Sequence, residues 1–178
     1  MFRMLFGMFL GLLMIPVVVL VWMNFGNVPV AVADRPFPYE RQITHTLLNA
    51  RIGKEMVQNV PIAADNAAFA AGAHIYADKC AFCHGWPGRP SAVGDDMYPH
   101  APQLWEHHRN NGAVGVSDDA PGETYWKTAN GIRLTGMPSF NNQLSTDQIW
   151  QVSVLLANAN KPAAESAIGA VHGAGARP

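Results

Sequence analysis

Cysteine is scarce in this chain of 178 residues: there are two, at positions 80 and 83, too few for a disulfide framework. With no second cysteine pair, a zinc site of the usual kind, four ligands from two clustered pairs, lacks half its donors. Charge is thin as well, at 14% of residues and a formal net −1. From Asp65 to Lys161 nine acidic residues face six basic ones, so no basic stripe exists for nucleic acid. The pairs Asp95-Asp96 and Asp118-Asp119 read as solvated loop tips rather than a docking patch. Strand-like alternation is absent too, which leaves helices as the ordered elements. No acid, base and nucleophile constellation appears, so the sequence predicts neither an enzyme nor a small-molecule substrate.

What the chain has instead begins at Met4. Residues 4–23 read MLFGMFLGLLMIPVVVLVWM, twenty without a charge, long enough to span a bilayer core of about 30 Å. Residues 1–24 are therefore expected to be a transmembrane anchor or an uncleaved signal, with Arg3 on the cytoplasmic side and the rest exported. Cleavage after the A-x-A-like Ala31 to Ala33 is the competing reading, although the apolar run exceeds a signal's about 7 to 15 residues. Residues 25–64 read as a linker. Within it Ile43, Leu47, Leu48, Ile52 and Met56 predict an amphipathic helix over 41–60, packed on the domain or lying along the membrane.

Residues 65–161 carry three helix signals. Asp65 is an N-cap type, and Phe69, Ala73, Tyr76 and Cys80 share one stripe behind it. Pro121 and Gly131 bracket a second, short helix in the favoured order. Ser145 with Gln148 forms a capping box for a third, followed by Val152, Leu155, Leu156 and Ala159. The Ala/Gly/Pro-rich residues 162–178 are expected to be a frayed, flexible tail. Between Trp86 and Ala120 about 35 residues pass without a predicted element, which is long for a compact domain unless a bulky cofactor supplies the missing core.

The motif that calls for such a cofactor is Cys80-Ala-Phe-Cys83-His84, the C-x-x-C-H attachment signature of c-type haem. Two thiols one helical turn apart point the same way, and the adjoining imidazole can reach a metal. A thioredoxin-like dithiol, a zinc site and inert buried cysteines are the alternatives, and no βαβ pattern accompanies the first.

From Asp65 to about Asn160 the chain resembles class I c-type cytochromes, most nearly the small membrane-anchored monohaem cytochromes of bacteria. Besides CAFCHG, three segments carry the likeness: APQLW, NGIRLTGMPSF and LSTDQIWQVSVLLAN. The resemblance implies an all-α class I cytochrome c fold of three to four short helices around one haem c bound covalently through Cys80 and Cys83. It implies His84 and Met137 as iron ligands, a Pro102 carbonyl accepting the His84 Nδ1 proton, and Leu104 packed on the ring. It also implies a crossing of the first and last helices near Gly72, where Gly72 and Tyr76 would meet Trp150, Val154 or Leu155. Arg133 is a candidate propionate partner and Arg109 a weaker one. The stretch from His84 to Pro102 is longer than in compact family members, and residues 24–64 have no counterpart in the core fold.

Gly136 and Pro138 single out Met137 among eight methionines. Histidines 45, 74, 100, 107, 108 and 172 offer a bis-histidine alternative, with His107-His108 the nearest rival, and an open sixth position is a third reading. Trp86, Tyr98, Trp105, Tyr125 and Trp126 read as pocket wall or core rather than electron relays. The expected function is one-electron transfer, by a carrier in a bacterial respiratory or other membrane chain or by a haem subunit of a larger membrane oxidoreductase. Its partners would be redox proteins, at the inner membrane with the haem domain on the periplasmic side.

Overall fold

The computed structural model describes residues 2–175 and consists there of eight helices and no strand, so the all-α expectation holds. Two compact units divide at residue 43. In the first, α1 (Phe2–Phe25) is a single apolar helix with Pro16 inside it and no buried residue, long and apolar enough to cross a membrane. Trp22 meets Phe37 edge-on at 5.6 Å, and the Asp34 carboxylate accepts the Val30 and Ala31 amides at 2.8 Å each. The predicted cleavage-like stretch is thus closed into a turn.

α2 (Glu40–Glu55) is the helix expected over 41–60, and its stripe packs toward its C-terminal end: Ile52 is buried, Leu48 and Met56 are half-buried, and Ile43 and Leu47 are exposed. There Glu55 accepts from the Trp126 indole at 3.0 Å, and the Val57 carbonyl closes on Gly122.

The core of the second unit grows from α3 (Asn66–Lys79). Asp65 caps it through the Ala68 amide at 2.9 Å, a contact worth about 1 kcal/mol. Its buried face of Phe69, Gly72, Ala73 and Tyr76 packs most extensively against α7 (Thr146–Ala157), whose capping box at Ser145 and Gln148 forms as the sequence predicts. Gly72 sits at this crossing because a Cβ there would strike the Gln151 carbonyl and lie 3.1 Å from Leu155 Cβ. Tyr76 lies one turn further along the same buried face. Its ring meets Trp86 and Trp105 edge-on at 6.0 and 5.8 Å, while Trp150 stacks on Tyr125 of α6 (Pro121–Asn130) at 4.2 Å.

The tail is the main correction. Residues 162–175 form α8 (Pro162–Gly175), with Ala164 and Ile168 fully buried and the helix laid along α3. Composition suggested fraying, but small residues let one helix approach another closely, and Ile168 supplies apolar area. The last three positions of that predicted tail lie outside the described residues. The stretch from Trp86 to Ala120 holds only a short α5 (Ala92–Asp95) and two isolated bridges, Trp86 with Arg89 and His107 with Val114.

Candidate functional site

α3 delivers Cys80 as its C-cap, where the Cys80 amide reaches the Tyr76 carbonyl, and one further turn, α4 (Ala81–His84), carries Cys83 and His84. The amides of Cys83 and His84 both bond the Cys80 carbonyl, at 3.1 and 2.9 Å. Gly85 ends the turn at φ +72°, a conformation that favours glycine, and a Cβ there would crowd Arg89 and Gln103. Both thiols are free and half-buried, one helical turn apart.

Burial pushes the Cys80 thiol up to about 12, helped by Cys83 and Asp78, so it is a neutral S–H rather than a thiolate at neutral pH. Burial also pulls the His84 imidazole below its ordinary value, against the opposing pull of the Pro102 carbonyl. His84 Nδ1 lies 2.8 Å from the Pro102 oxygen. A carbonyl can only accept, so the proton is on Nδ1 and the Nε2 lone pair is left for a metal.

Tyr76, read from the sequence as core, and Ser91 and Gln103, which it did not mark, hold this turn in place. The Tyr76 hydroxyl donates to the carbonyls of Gly85 at 2.7 Å and His84 at 3.2 Å. Burial first, then Cys80, raises its ionisation far above the ordinary tyrosine value, with the Trp105 indole working the other way. The available signal was spacing: Tyr76 lies four residues before Cys80 on the stripe that faces the turn. Ser91 Oγ donates to the Phe82 carbonyl at 2.6 Å, and the Gln103 amide oxygen accepts the Ser91 amide at 3.0 Å. Trp86 stacks on His172 of α8, ring centroids 4.7 Å apart. Nothing local in the sequence pairs residues so far apart.

The second cluster is the loop after α6. Gly131, at φ +68°, lets the chain turn against Pro138 and Ser139. The Met137 amide donates to Thr135 Oγ1 at 3.1 Å, its carbonyl accepts the Ile132 amide at 3.2 Å, and Ser139 Oγ donates to the Ala129 carbonyl at 2.6 Å. Met137 is half-buried, whereas Arg133 and Leu134 on the same loop are exposed. Leu104 is buried in the core beside Trp105. The structure brings Cys80, Cys83, His84 and Pro102 into one cluster and sets Met137 in a separate, internally bonded loop. His107 and His108 are exposed on the hairpin at Val114, and His172 is engaged by Trp86.

The donor set suits haem c: two free thiols on one turn, an imidazole with its second nitrogen fixed by a carbonyl, and a thioether on an internally bonded loop. Among the described residues no group of three or more His, Cys, Asp and Glu side chains is placed to hold a metal ion. Searches of curated proteins and of solved structures found no match. The family described as cytochrome c oxidase, cbb3-type, subunit III matches residues 67–156, which run from α3 almost to the end of α7. That match spans half of the chain and includes the whole attachment turn and the methionine loop, so the chain belongs to this family of c-type cytochromes, proteins of haem-based electron transfer.

Proposed function

We propose that this chain is a one-electron carrier anchored in a bacterial inner membrane by α1, with a single haem c bound covalently through Cys80 and Cys83 and ligated by His84 and Met137. One observation carries the reading: the hydrogen bond from His84 Nδ1 to the Pro102 oxygen fixes the tautomer whose Nε2 is a ligand, beside two unpaired thiols. A haem bound there supplies reversible one-electron exchange at iron, and thioether ligation favours the ferrous state. The protein's own share is to hold and to insulate. Tyr76 and Pro102 orient the attachment turn, Leu104 and Trp105 wall it from water, and Thr135 and Ile132 hold Met137. Phe82, 74% exposed on the turn, marks the edge where electrons would pass to a partner redox protein. Arg133 is assigned to a propionate. Tethering by α1 confines the carrier to the membrane plane, with the haem domain on the outer face, and raises its local concentration there.

Haem staining of a denaturing gel of purified membranes tests the attachment, with stain expected in the native chain and absent from Cys80→Ala/Cys83→Ala. A stain-free native chain overturns the reading. Met137→Ala should lower the reduction potential and give a high-spin or ligand-exchanged spectrum, and an unchanged spectrum removes Met137 from the ligand set.

A second reading is favoured by the family's own description, which names an oxidase subunit. In it the chain is the haem subunit of a larger membrane oxidoreductase, with catalysis in a partner. Purification in mild detergent separates the two: a stoichiometric complex supports the subunit, and a solitary redox-active chain supports the carrier.

A further inference from the structure

Residues 91–101 belong to the stretch without predicted elements, yet they lie between the two clusters of the site. Ser91 Oγ bonds the Phe82 carbonyl at 2.6 Å and accepts the Gly94 amide at 3.0 Å. Gly94 lies so close to the attachment turn that a Cβ there would collide with the Cys83 carbonyl. The Gly94 carbonyl in turn accepts the amides of Ala101 at 3.0 Å and Met97 at 3.4 Å. The backbone around Met97 is thereby fixed to the turn that carries Cys83. From that backbone the Met97 side chain reaches the methionine loop: a Cβ on Gly136 would meet Met97 Sδ at 2.9 Å and Cε at 3.3 Å. Residue 136 has no side chain, and a thioether occupies the space where one would be.

We propose that Met97 is the positioning residue for Met137: its thioether, seated against Gly136, ties the loop of the sixth ligand to the turn of the covalent attachment. The proposal rests on the His84/Met137 reading. The bonds from Thr135 and Ile132 fix the shape of the methionine loop but act within it, between residues 132 and 137. They do not set its distance from Cys83. Met97 spans that distance, and an unbranched, polarisable side chain with three rotors suits an irregular gap of this kind. Without it Met137 would keep its local geometry and lose its fixed position relative to the attachment turn.

The test is imidazole binding to the matured ferric protein, because imidazole takes the sixth position only where Met137 releases it. Met97→Ala should bind imidazole about tenfold more tightly than the native protein, equivalent to about 1.4 kcal/mol, while Met97→Leu stays within about twofold because it refills the gap. Gly136→Ala, which pushes the Met97 tip aside, should also tighten imidazole binding, and should cease to do so when Met97 is already alanine. Unchanged affinity in Met97→Ala overturns the proposal, as does an equal effect of Met97→Leu. Met137→Ala is the reference: if it and the native protein bind imidazole equally, the ligation reading falls and the proposal with it. If Met137→Ala binds more tightly and Met97→Ala does not, the proposal alone falls.

Discussion

The attachment turn and the methionine loop are built on different plans. Residues 80–85 are held from outside, by Tyr76 beneath, by Ser91 and Gln103 at the side and by Pro102 across His84. Residues 131–139 are held chiefly from within and by the end of α6, through Thr135, Ile132 and Ser139. The first plan holds the attachment turn from several segments of the chain at once. The second leaves the loop's shape to bonds among its own residues, with few to the turn that carries Cys83. The difference explains why glycine plays unlike parts in the two places. At Gly94 a methyl group would meet backbone, which cannot yield, and at Gly136 it would meet the tip of a flexible side chain.

That contrast gives the largest expected effect. Gly94→Ala should cost about 3 kcal/mol or more in denaturant unfolding of the matured protein, and should lower the yield of covalent haem; a loss below 1 kcal/mol would show that the turn yields. Tyr76→Phe comes next, at about 2 kcal/mol, since the carbonyl of Gly85 would be left buried without its donor. The same unfolding titration measures it, and the sixth-ligand spectrum should not change. Gly136→Ala should cost less than about 1 kcal/mol of stability while its imidazole affinity rises, so that stability and ligand hold separate on the loop side. The smallest effect lies away from both. The Trp126 indole, then Arg51, hydrogen-bond the charged form of Glu55 and hold its carboxyl below the ordinary 4.5. A carboxyl whose folded value is depressed stabilises the fold above that ordinary value, and the contribution is lost as pH falls through the folded one. Acid should therefore loosen the contact between α2 and α6 below about pH 4.5, read as a Trp126 fluorescence change that Glu55→Gln abolishes.

Legibility followed the range of the interactions. The caps at Asp65 and Ser145, the Pro121 to Gly131 bracket and the attachment turn depend on residues within ten of one another, and each was visible in the sequence. The links from Tyr76 to the turn's carbonyls were half visible, because helical spacing aimed the ring at the turn without revealing its acceptors. Of the three partners read for Gly72 and Tyr76, Leu155 meets Gly72, while the ring Trp150 stacks on, Tyr125, was not foreseen, since an aromatic on a buried face can meet any of several rings. Helix α8 was missed because its alanines and glycines have no strong pattern of their own. Its order comes from α3, which buries Ala164 and Ile168, and from Trp86, which receives His172.

By itself the sequence determined the chemistry: which atoms can bond a porphyrin, which run of residues can cross a bilayer, and which ends the helices have. These depend on residue identity at short spacing, where the covalent chain limits the possible geometries. Only the tertiary structure decided what holds the chemistry in place. The Pro102 carbonyl on His84, the Gly94 backbone on Cys83 and the Met97 thioether at Gly136 join segments between 11 and 39 residues apart, and their meeting depends on how the helices pack, a choice among many that local pattern leaves open.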